Sequence, residues 1–327
     1  MAAEPRAKLA DLGPAELVRA ASIARRFFLD GRSKSKIADE FGVSRFKVAR
    51  ILEEARAEGI VRIEIRLPAG LDASLAQALH EAFGLRHAIV VDTAVEPEGQ
   101  MRQQLAHAAA ALLKEIVTVD DVVGVGYGRT LTLMAEEIDG LAPCPVVQLT
   151  GALFGVNAED NSVELVRQIA ARTGGPCFSI YAPQVLPDAR TAASLRQSPE
   201  VSDAYQRFGS VTKAVVAVGS WAPPQSQLYD SLPPAQTATL REQGVVAEIG
   251  AVLLDASGTQ LATDFTERCI SISGPELRAI EEVVAVAGGV AKAAAVRAAL
   301  AGGYADSLVV DNSLATALLA APGPVIR

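Results

Sequence analysis

Hydrophobic residues in the first sixty positions recur at helical spacing and are interrupted by residues that begin or end helices. The pattern from Pro14 to Leu29 predicts a first helix. Ser33 is a suitable N-cap for a short second helix that ends at Gly42, and Ser44 is a suitable N-cap for a third helix that runs to Gly59. Three short helices at this spacing predict a small helical domain.

After Gly59 the period of the apolar residues changes from that of a helix to that of a strand. Apolar and charged residues alternate from Ile60 to Pro68, which predicts a strand or wing that closes the small domain, with PAGLD as the linker. Beyond Leu71, apolar runs alternate with glycine-rich turns and helical segments. The runs are HAIVVD, DDVVGVGYG, PVVQLTG, KAVVAVG, AEIGAVLLDASG and DSLVVD.

This alternation predicts a mostly parallel sheet covered by helices, although short runs such as VVGVG also suit buried helix segments. The predicted organisation is a small domain over residues 1–68 and a large α/β domain over residues 69–327. Half of the 327 residues are apolar but only 5% are aromatic. Ala, Val, Leu and Ile must therefore fill the cores, which is typical of α/β proteins.

The composition also bears on location and on metal binding. The sequence has no run of 18 apolar residues, and its N-terminus carries charges where a signal peptide would be apolar, so we expect a cytoplasmic protein with no membrane partner. Cys144, Cys177 and Cys269 are far apart and form no CxxC pair, which predicts buried, inert thiols and no metal site.

Charge is distributed unevenly along the chain. The net charge is -8, yet residues 1–68 carry 14 Lys and Arg against 10 Asp and Glu. Between Arg19 and Arg50 there are nine basic and three acidic residues. A basic segment joined to an acidic remainder favours a DNA-facing domain, although a solvated helical surface gives a milder version of the same asymmetry.

The segment from Lys34 to Ala55 has the spacing of a helix-turn-helix. Ala38 is small where the two helices would touch, and Gly42 permits the positive φ that the turn requires. With Val48 and its neighbours buried, the helix from Ser44 to Gly59 is predicted to enter the major groove. The candidate DNA-binding residues are Ser33, Lys34, Ser44, Arg45, Phe46, Lys47 and Arg50. The alternative interpretation is an ordinary helical hairpin with solvated charges.

Two glycine-rich stretches of the large domain have the form of strand-to-helix phosphate sites. In VVGVGYGRTLTLMAEEI a strand ends at Gly126 and a helix opens near Thr130, so backbone N–H groups converge with the side chains of Arg129 and Thr130. The stretch VVQLTGALFG places Thr150 and Gly151 in the same way. Tight turns that need glycine are the alternative, and the absence of a P-loop or GxGxxG pattern argues against a nucleotide.

Two charged residues complete a candidate ligand site. Lys292 follows Gly288 and Gly289 at another helix start, where its ammonium group suits an anion. Glu248 lies within an otherwise apolar strand, where a carboxylate is costly without a partner, although a solvent-facing edge strand would also tolerate it. A sugar phosphate requires hydrogen-bond acceptors for its hydroxyl groups beside cations that bind its phosphate.

The sequence offers little for catalysis. His80, His87 and His107 share no motif, and packing or surface roles suit them better than catalysis. The chain has no GxSxG, no histidine-based triad and no metal-ligand spacing. We therefore expect neither an enzyme nor a cofactor or metal.

Along most of its length the chain resembles the SorC-like (SorC/DeoR-type) sugar-binding transcriptional regulators. The resemblance is carried by KIADEFGVSRFKVARILEEARAEGIVRIEI, VVGVGYGRTL, VVQLTGAL, YAPQVLP, GVVAEIGAVLLDASG and VVAVAGGVAKAAAVRAALAGGYADSLVVDNSLATALL. It implies a winged helix-turn-helix joined to an α/β effector domain of the glucosamine-phosphate isomerase, ribose-phosphate isomerase and CoA-transferase-like type. It also implies a homotetrameric repressor or activator that binds a palindromic operator in double-stranded DNA of a carbohydrate operon.

The same resemblance implies ligand contacts. Gly128, Arg129, Thr130 and Lys292 would hold a phosphate, Glu248 would contact sugar hydroxyls, and Asn161 would also reach the ligand. The chain departs from the family pattern at Ala247, where a glycine is expected, and it lacks an aromatic residue common before the Asp of VLLDASG. These departures bear on which sugar is bound.

Two other functions remain open at this point. One is an enzyme of the related isomerase or acyl-transferase folds, with Glu248 as general base or nucleophile; it would need a second proton carrier beyond Lys292. The other is an architectural DNA protein, which leaves the glycine-rich domain unexplained. The interpretation we adopt is a regulator whose DNA binding depends on a small sugar or sugar phosphate.

Overall fold

The computed structural model describes residues 13–62, 70–93, 98–153 and 162–320. These residues belong to two units, Met1–Ile65 and Arg66–Arg327, each of which is described by itself. The boundary predicted after Pro68 lies outside the described residues.

The first unit contains three helices close to their predicted positions. They are α1 (Pro14–Phe28), α2 (Lys34–Phe41) and α3 (Arg45–Ala57). The Ser33 hydroxyl accepts a hydrogen bond from the Lys36 amide at 3.4 Å, and the Ser44 hydroxyl accepts one from the Lys47 amide at 3.1 Å. These bonds satisfy amides that the first turn of a helix leaves without an acceptor, so the caps fix where α2 and α3 begin.

The turn between α2 and α3 depends on Gly42. This residue has a φ of +62°, as the sequence predicted, and it allows the Val43 amide to donate to the carbonyl of Ala38 at 3.0 Å. The turn brings together a small apolar core from all three helices: Ile23, Ala24, Ile37, Ala38, Val48 and Leu52.

The strand or wing predicted from Ile60 to Pro68 is not present at its first positions. Gly59 has a φ of +75°, and the amide of Val61 donates back to the carbonyl of Ala55 at 2.9 Å. The chain therefore turns at residues 58–59 and bends at residues 60–61, and residues 60–62 are not in a strand. Residues 63–68 of the predicted strand lie outside the described residues.

The second unit contains the predicted parallel sheet. The strands in chain order are β1 (Ala88–Val91), β2 (Val123–Val125), β3 (Val146–Gln148), β4 (Cys177–Phe178), β5 (Lys213–Ala217), β6 (Gly219–Trp221), β7 (Pro224–Gln225), β8 (Ala247–Ile249), β9 (Val252–Leu254), β10 (Glu282–Ala287) and β11 (Ser307–Asp311). Seven of them form one sheet in the order β1-β11-β10-β5-β2-β3-β4, and every pair in it is parallel.

The helices of this unit are α4 (Ala73–Phe83), α5 (Glu98–Ile116), α6 (Arg129–Glu137), α7 (Ser162–Thr173), α8 (Ala189–Arg196), α9 (Pro199–Tyr205), α10 (Gln227–Ser231), α11 (Pro234–Glu242), α12 (Asp264–Glu267), α13 (Gly274–Ala279), α14 (Ala293–Ala301) and α15 (Asn312–Ala320), with 3-10 turns at Phe208–Ser210 and Val290–Lys292. Helices α4 to α9 and α13 to α15 cover the two faces of the seven-stranded sheet, whereas α10, α11 and α12 pack with β6 and β9 in a separate apolar cluster. In the described ranges, no helix combines the length and apolar character needed to cross a bilayer.

Successive residues of β10 alternate between two cores. Val283 and Ala285 pack with α4, α14 and α15, whereas Val284 and Val286 pack with α5, α6 and α7. All six residues of β10 are buried, as expected for a central strand of a parallel sheet. The sequence prediction did not include β10 among its strands.

The stretch AEIGAVLLDASG, predicted as one strand, is two. Gly250 has a φ of +62° and turns the chain between β8 and β9, which pair antiparallel. These strands join β6 and β7 in a second, antiparallel sheet of order β7-β6-β8-β9. The prediction missed the turn because the run is apolar on both sides of the glycine.

The prediction of buried thiols holds for two of the three cysteines. Cys144 and Cys269 are buried, and burial raises the pKa of their thiols to about 11 and about 12. Cys177 is exposed, because β4 is a two-residue strand at the edge of the sheet.

A buried ionic cluster lies at the amino ends of the central strands. The Lys213 ammonium lies 3.8 Å from an oxygen of Asp121 and 3.8 Å from an oxygen of Glu282. The Ser307 hydroxyl donates to Glu282 at 2.6 Å. Although burial raises the pKa of Asp121, hydrogen bonds from Thr212 and Thr118 and the charge of Lys213 bring it below its usual range.

Replacing Lys213 with methionine should destabilise the second unit by about 3 to 5 kcal/mol, because two buried carboxylates would lose their cation. Denaturant unfolding of the wild type and Lys213→Met measures this difference. The matched control is Arg86→Met, which breaks an exposed pair with Glu281 and should cost less than about 1 kcal/mol. Equal losses in the two variants would contradict the stabilising role assigned to Lys213.

Candidate functional site

A cavity lies where the carboxyl ends of β2, β5 and β10 meet. Its lining includes five of the residues predicted to contact a ligand: Gly128, Arg129, Thr130, Glu248 and Lys292. Gly128, Arg129 and Thr130 follow β2 and Lys292 follows β10, and the parallel pairing of these strands with β5 brings them to one edge of the sheet. Glu248 lies on β8, which pairs with β6 directly after β5. The cavity and the open space at its mouth together contain about 640 Å³ that no protein atom occupies.

The wall after β2 is a glycine turn that leads into α6. A Cβ added to Gly128 would lie 2.8 Å from the Cβ of Ala217, so the turn can pass β5 this closely only with glycine. Helix α6 begins at Arg129, and its first amides have no acceptor within the helix. The turn therefore presents N–H groups and the side chains of Arg129 and Thr130 to the cavity, a combination that suits an anion.

Glu248 is buried on β8, with 3% of its surface exposed, so it is not on a solvent-facing edge. The Ser226 hydroxyl donates to its Oε1 at 2.8 Å, and the Tyr127 hydroxyl donates to its Oε2 at 3.2 Å. Gly219 is the antiparallel partner of Glu248, and any Cβ there would overlap Oε1. The carboxylate is thus held in one orientation by two hydroxyls and a glycine.

The environment of Glu248 favours its protonated form. Burial raises the pKa of this carboxyl to about 7, although the hydrogen bonds from Ser226 and Tyr127 and the charge of Lys292 act in the opposite direction. Within the described residues no cation lies within 4 Å of it. Glu248 therefore has neutral partners and remains able to accept further hydrogen bonds from a ligand.

Lys292 lies on the cationic side of the cavity. Its ammonium group donates to the carbonyl of Val218 at 2.7 Å. Burial lowers its pKa to about 8, with Glu248 raising it and the charges of Arg129 and Arg102 lowering it further. Arg102 pairs with Glu98, and Arg129 lies 4.0 Å from Asp230. Lys292, in contrast, has no ion pair among the described residues. An anion beside Lys292 would supply the missing opposite charge, so this side of the cavity suits a phosphate.

One predicted ligand residue, Gly151, is not among the described residues that line this cavity. Gly151 donates its amide to the carbonyl of Ile270 at 2.8 Å, and a Cβ there would lie 2.8 Å from the backbone of Gln184. The described structure thus gives Gly151 a role in close backbone packing. The neighbouring Thr150 is buried, and its hydroxyl has no partner among the described residues. Asn161 lies outside the described residues.

Sequence reasoning missed several residues of the cavity. Tyr127 lies within the GYG turn, and only the tertiary structure shows that its hydroxyl reaches Glu248. Ser226 caps α10 through the amide of Tyr229 and has no motif around it. Arg102 lies on α5, where it pairs with Glu98 and looks like an ordinary surface residue of the helix.

The candidate DNA-binding residues lie around the starts of α2 and α3. Arg45, Phe46, Lys47 and Arg50 are exposed on α3, while the hydroxyls of Ser33 and Ser44 serve as N-caps. Lys34 is partly buried, with its ammonium 5.6 Å from the ring centroid of Phe27.

The arginines of this unit differ in their partners. Arg26 and Arg32 pair with Glu40, and Arg50 pairs with Glu54 at 3.5 Å. Among the described residues, Arg45 and Lys47 make no ion pair. Two cations without an ion pair therefore lie in the first turn of α3.

The described residues give no support for a metal site or a histidine-based site. Nowhere in residues 13–62, 70–93, 98–153 and 162–320 do three or more His, Cys, Asp or Glu side chains group as metal ligands do. His107 contacts Glu137 at 3.1 Å, and His87 lies 3.7 Å from Glu282. Neither histidine is among the described residues that line the cavity.

The free energy of unfolding of the wild type should fall as the pH rises, and the Glu248→Gln variant should show a smaller fall. Because the pKa of Glu248 is about 7 in the folded protein and 4.5 for an ordinary Glu, the folded state holds this proton more tightly, and stability falls as pH rises from 4.5 to about 7. The stability of the variant relative to wild type should therefore increase over this range, by at most about 3 kcal/mol. Unfolding at a series of pH values measures it.

The control for this measurement is Glu281→Gln, which alters a carboxylate whose side chain is 61% exposed. Its stability relative to wild type should change little over the same range. A Glu248→Gln difference that is as flat as that of the control would contradict the assigned burial of Glu248.

Comparisons with known proteins agree with this geometry. The family described as "Putative sugar-binding domain" matches residues 68–320, more than half of the chain. The uncharacterized transcriptional regulator YjhU of Escherichia coli (strain K12) is 29% identical in an alignment of length 314 that covers 91% of this chain and 93% of the relative. The deoxyribonucleoside regulator of Bacillus subtilis (strain 168) is 27% identical in an alignment of length 301 that covers 90% of this chain and 95% of the relative.

A solved structure shows the same fold. The full-length sorbitol operon regulator SorC from Klebsiella pneumoniae superimposes with a TM-score of 0.71 at 23% identity, over 93% of this chain and 99% of that chain. The family match, the relatives and the fold agree with one another. The chain belongs to the SorC-like family of sugar-binding transcriptional regulators, defined by its putative sugar-binding domain.

Proposed function

We propose that this protein is a DNA-binding transcriptional regulator of a carbohydrate operon, and that a small sugar or sugar phosphate in the cavity controls its binding to DNA. The observation that carries this proposal is the buried carboxylate of Glu248, which shares one cavity with Lys292 and Arg129 in a domain of the sugar-binding family. A relative that matches over nearly the whole chain is named a transcriptional regulator.

The two sides of the cavity support a phosphorylated sugar. Glu248 keeps lone pairs for sugar hydroxyls, because its two recorded donors leave acceptor capacity unused. Arg129, Lys292 and the first amides of α6 supply positive charge and donors for a phosphate. Contacts to Gly151 and Asn161 remain predictions from the sequence.

The first unit supports the DNA-binding part of the proposal. Arg45 and Lys47 lie in the first turn of α3 and are free to contact phosphates or guanine edges, while Ser44 and the first amides of α3 suit a phosphate oxygen. In this arrangement α3 enters the major groove of the DNA, and α2 crosses the sugar-phosphate backbone of the DNA. The proposed unit is a winged helix-turn-helix, in which the wing remains a prediction from the sequence.

The remaining parts of the proposal concern assembly. A homotetramer of this chain would read a palindromic operator, because a symmetric oligomer presents equivalent helices to equivalent half-sites. The effector domain would be of the isomerase and CoA-transferase-like type, without catalysis. A ligand can change the affinity of the oligomer for DNA by no more than the ratio of its own affinities for the two arrangements of the oligomer.

The pKa values in the cavity favour one alternative, an isomerase-like enzyme. A carboxyl with a pKa of about 7 and an amine with a pKa of about 8 are poised for proton transfer near neutral pH. Incubating the protein with pentose and hexose phosphates and following the sugars by NMR tests this alternative. Turnover that Glu248→Gln abolishes would support the enzyme.

Arg45→Ala and Lys47→Ala should weaken binding to DNA from upstream of the operon. The loss of binding free energy should be about 1 to 3 kcal/mol where the side chain contacts a base. Replacing a side chain that contacts a phosphate should also reduce the dependence of DNA affinity on salt concentration. Fluorescence anisotropy at several salt concentrations measures both. The control is Arg26→Ala, whose charge is already paired with Asp30 and Glu40. Wild-type affinity in both α3 variants would contradict the placement of this helix.

Lys292→Ala should abolish the response to a sugar phosphate and leave DNA binding intact, because it removes a cation from the cavity and nothing from α2 or α3. The assay is anisotropy of the DNA complex, titrated with pentose and hexose phosphates, the free sugars and inorganic phosphate. Lys114→Ala, which removes an exposed lysine of α5, is the control. A response equal to that of wild type would remove Lys292 from the site.

A further inference from the structure

Phe46 is an aromatic residue left in solvent at the start of α3. It is the second residue of the helix and is 87% exposed, more than any other large hydrophobic residue in the described part of the chain. Leaving a phenylalanine exposed forgoes about 1.5 to 3 kcal/mol of the free energy that its burial would provide. A function outside the folding of this unit would account for it.

The core of the first unit is complete without Phe46. Val48 is fully buried against α1 and α2, and Phe46 precedes it by two residues, which is a rotation of about 200° around the helix. The side chain therefore points away from the core. Arg50, four residues after Phe46, lies on the same outward face and is exposed.

The charges around Phe46 identify the kind of surface that it suits. Its neighbours Arg45 and Lys47 are exposed and unpaired among the described residues, so the ring lies between two free cations. Neither α2 nor α3 exposes another large hydrophobic residue in the described part of the chain. An apolar protein surface would bury these cations without partners, at a cost in free energy. A surface that is apolar at one point and bordered by anions satisfies all three side chains.

The floor of the DNA major groove is such a surface. The 5-methyl group of thymine is the apolar group on a base edge there, and phosphates line the groove on both sides. We propose that Phe46 contacts a thymine methyl group in each half-site and so specifies a thymine in the operator. This inference rests on the proposed DNA-binding function and adds to it the base that one named side chain recognises.

The test removes the methyl group and the ring separately and together. The wild-type protein first selects a duplex from random sequence, and each thymine of the selected half-site is then replaced in turn by deoxyuridine, which lacks only the methyl group. At one thymine the replacement should weaken wild-type binding about fourfold, as loss of one buried methyl group implies. Phe46→Ala should weaken binding about tenfold and be insensitive to the same replacement.

The control variant is Val18→Ala, which removes an exposed apolar side chain of α1. It should retain the wild-type response to every deoxyuridine. Because Phe46 is outside the core, Phe46→Ala should unfold at the same denaturant concentration as the wild type. This measurement excludes a loss of folding as the cause of weaker DNA binding.

If each deoxyuridine affects the wild type and Phe46→Ala equally, the assignment of thymine to Phe46 is overturned while the DNA-binding function stands. If no sequence is enriched in the selection, the proposed DNA-binding function fails as well.

Discussion

The close packing of glycine backbone against neighbouring side chains at the carboxyl ends of β2, β5 and β10 is the constraint on which the candidate ligand site depends. Side chains are excluded at three points: a Cβ on Gly128 would lie 2.8 Å from Ala217, one on Gly288 would lie 2.6 Å from Leu105, and one on Gly219 would overlap Glu248. Parallel strands end at a common edge, and the segments that follow them must share the space there. Glycine leaves backbone N–H groups and one carboxylate facing the cavity where bulkier residues would fill it.

The two ends of the sheet bury charge in different ways. At the amino ends, Lys213 lies between Asp121 and Glu282, so opposite charges compensate one another and contribute to stability. At the carboxyl ends, Glu248 has hydroxyl partners, and the ammonium group of Lys292 donates to a carbonyl. Neither charge is neutralised by an opposite charge within 4 Å among the described residues. A bound sugar phosphate would supply hydroxyl donors to one and an anion to the other, which gives this end of the sheet its affinity for a ligand.

The parts of the fold that the sequence predicted are those with local determinants. Helices α1 to α3 match their predictions within two residues because Ser33, Ser44 and Gly42 act on adjacent backbone. The stretch around Gly250 was taken as one strand because hydrophobicity alone does not distinguish a hairpin from a strand. Glu248 was predicted because a carboxylate within an apolar run is costly without a partner. Its partners come from loops distant in sequence and could not be predicted without the fold.

Gly151 shows the limit of the same reasoning. Glycine after a parallel strand has two physical uses, an approach of the backbone to a ligand and an approach to another backbone, and the sequence pattern is the same for both. In the described structure Gly128 borders the cavity, whereas Gly151 packs against the backbone of Gln184. What distinguishes them is the charged chemistry nearby, since Arg129 follows Gly128 directly and the hydroxyl beside Gly151 is buried without a partner. A glycine-rich turn therefore indicates a ligand only where charged or donor groups from other strands converge on it.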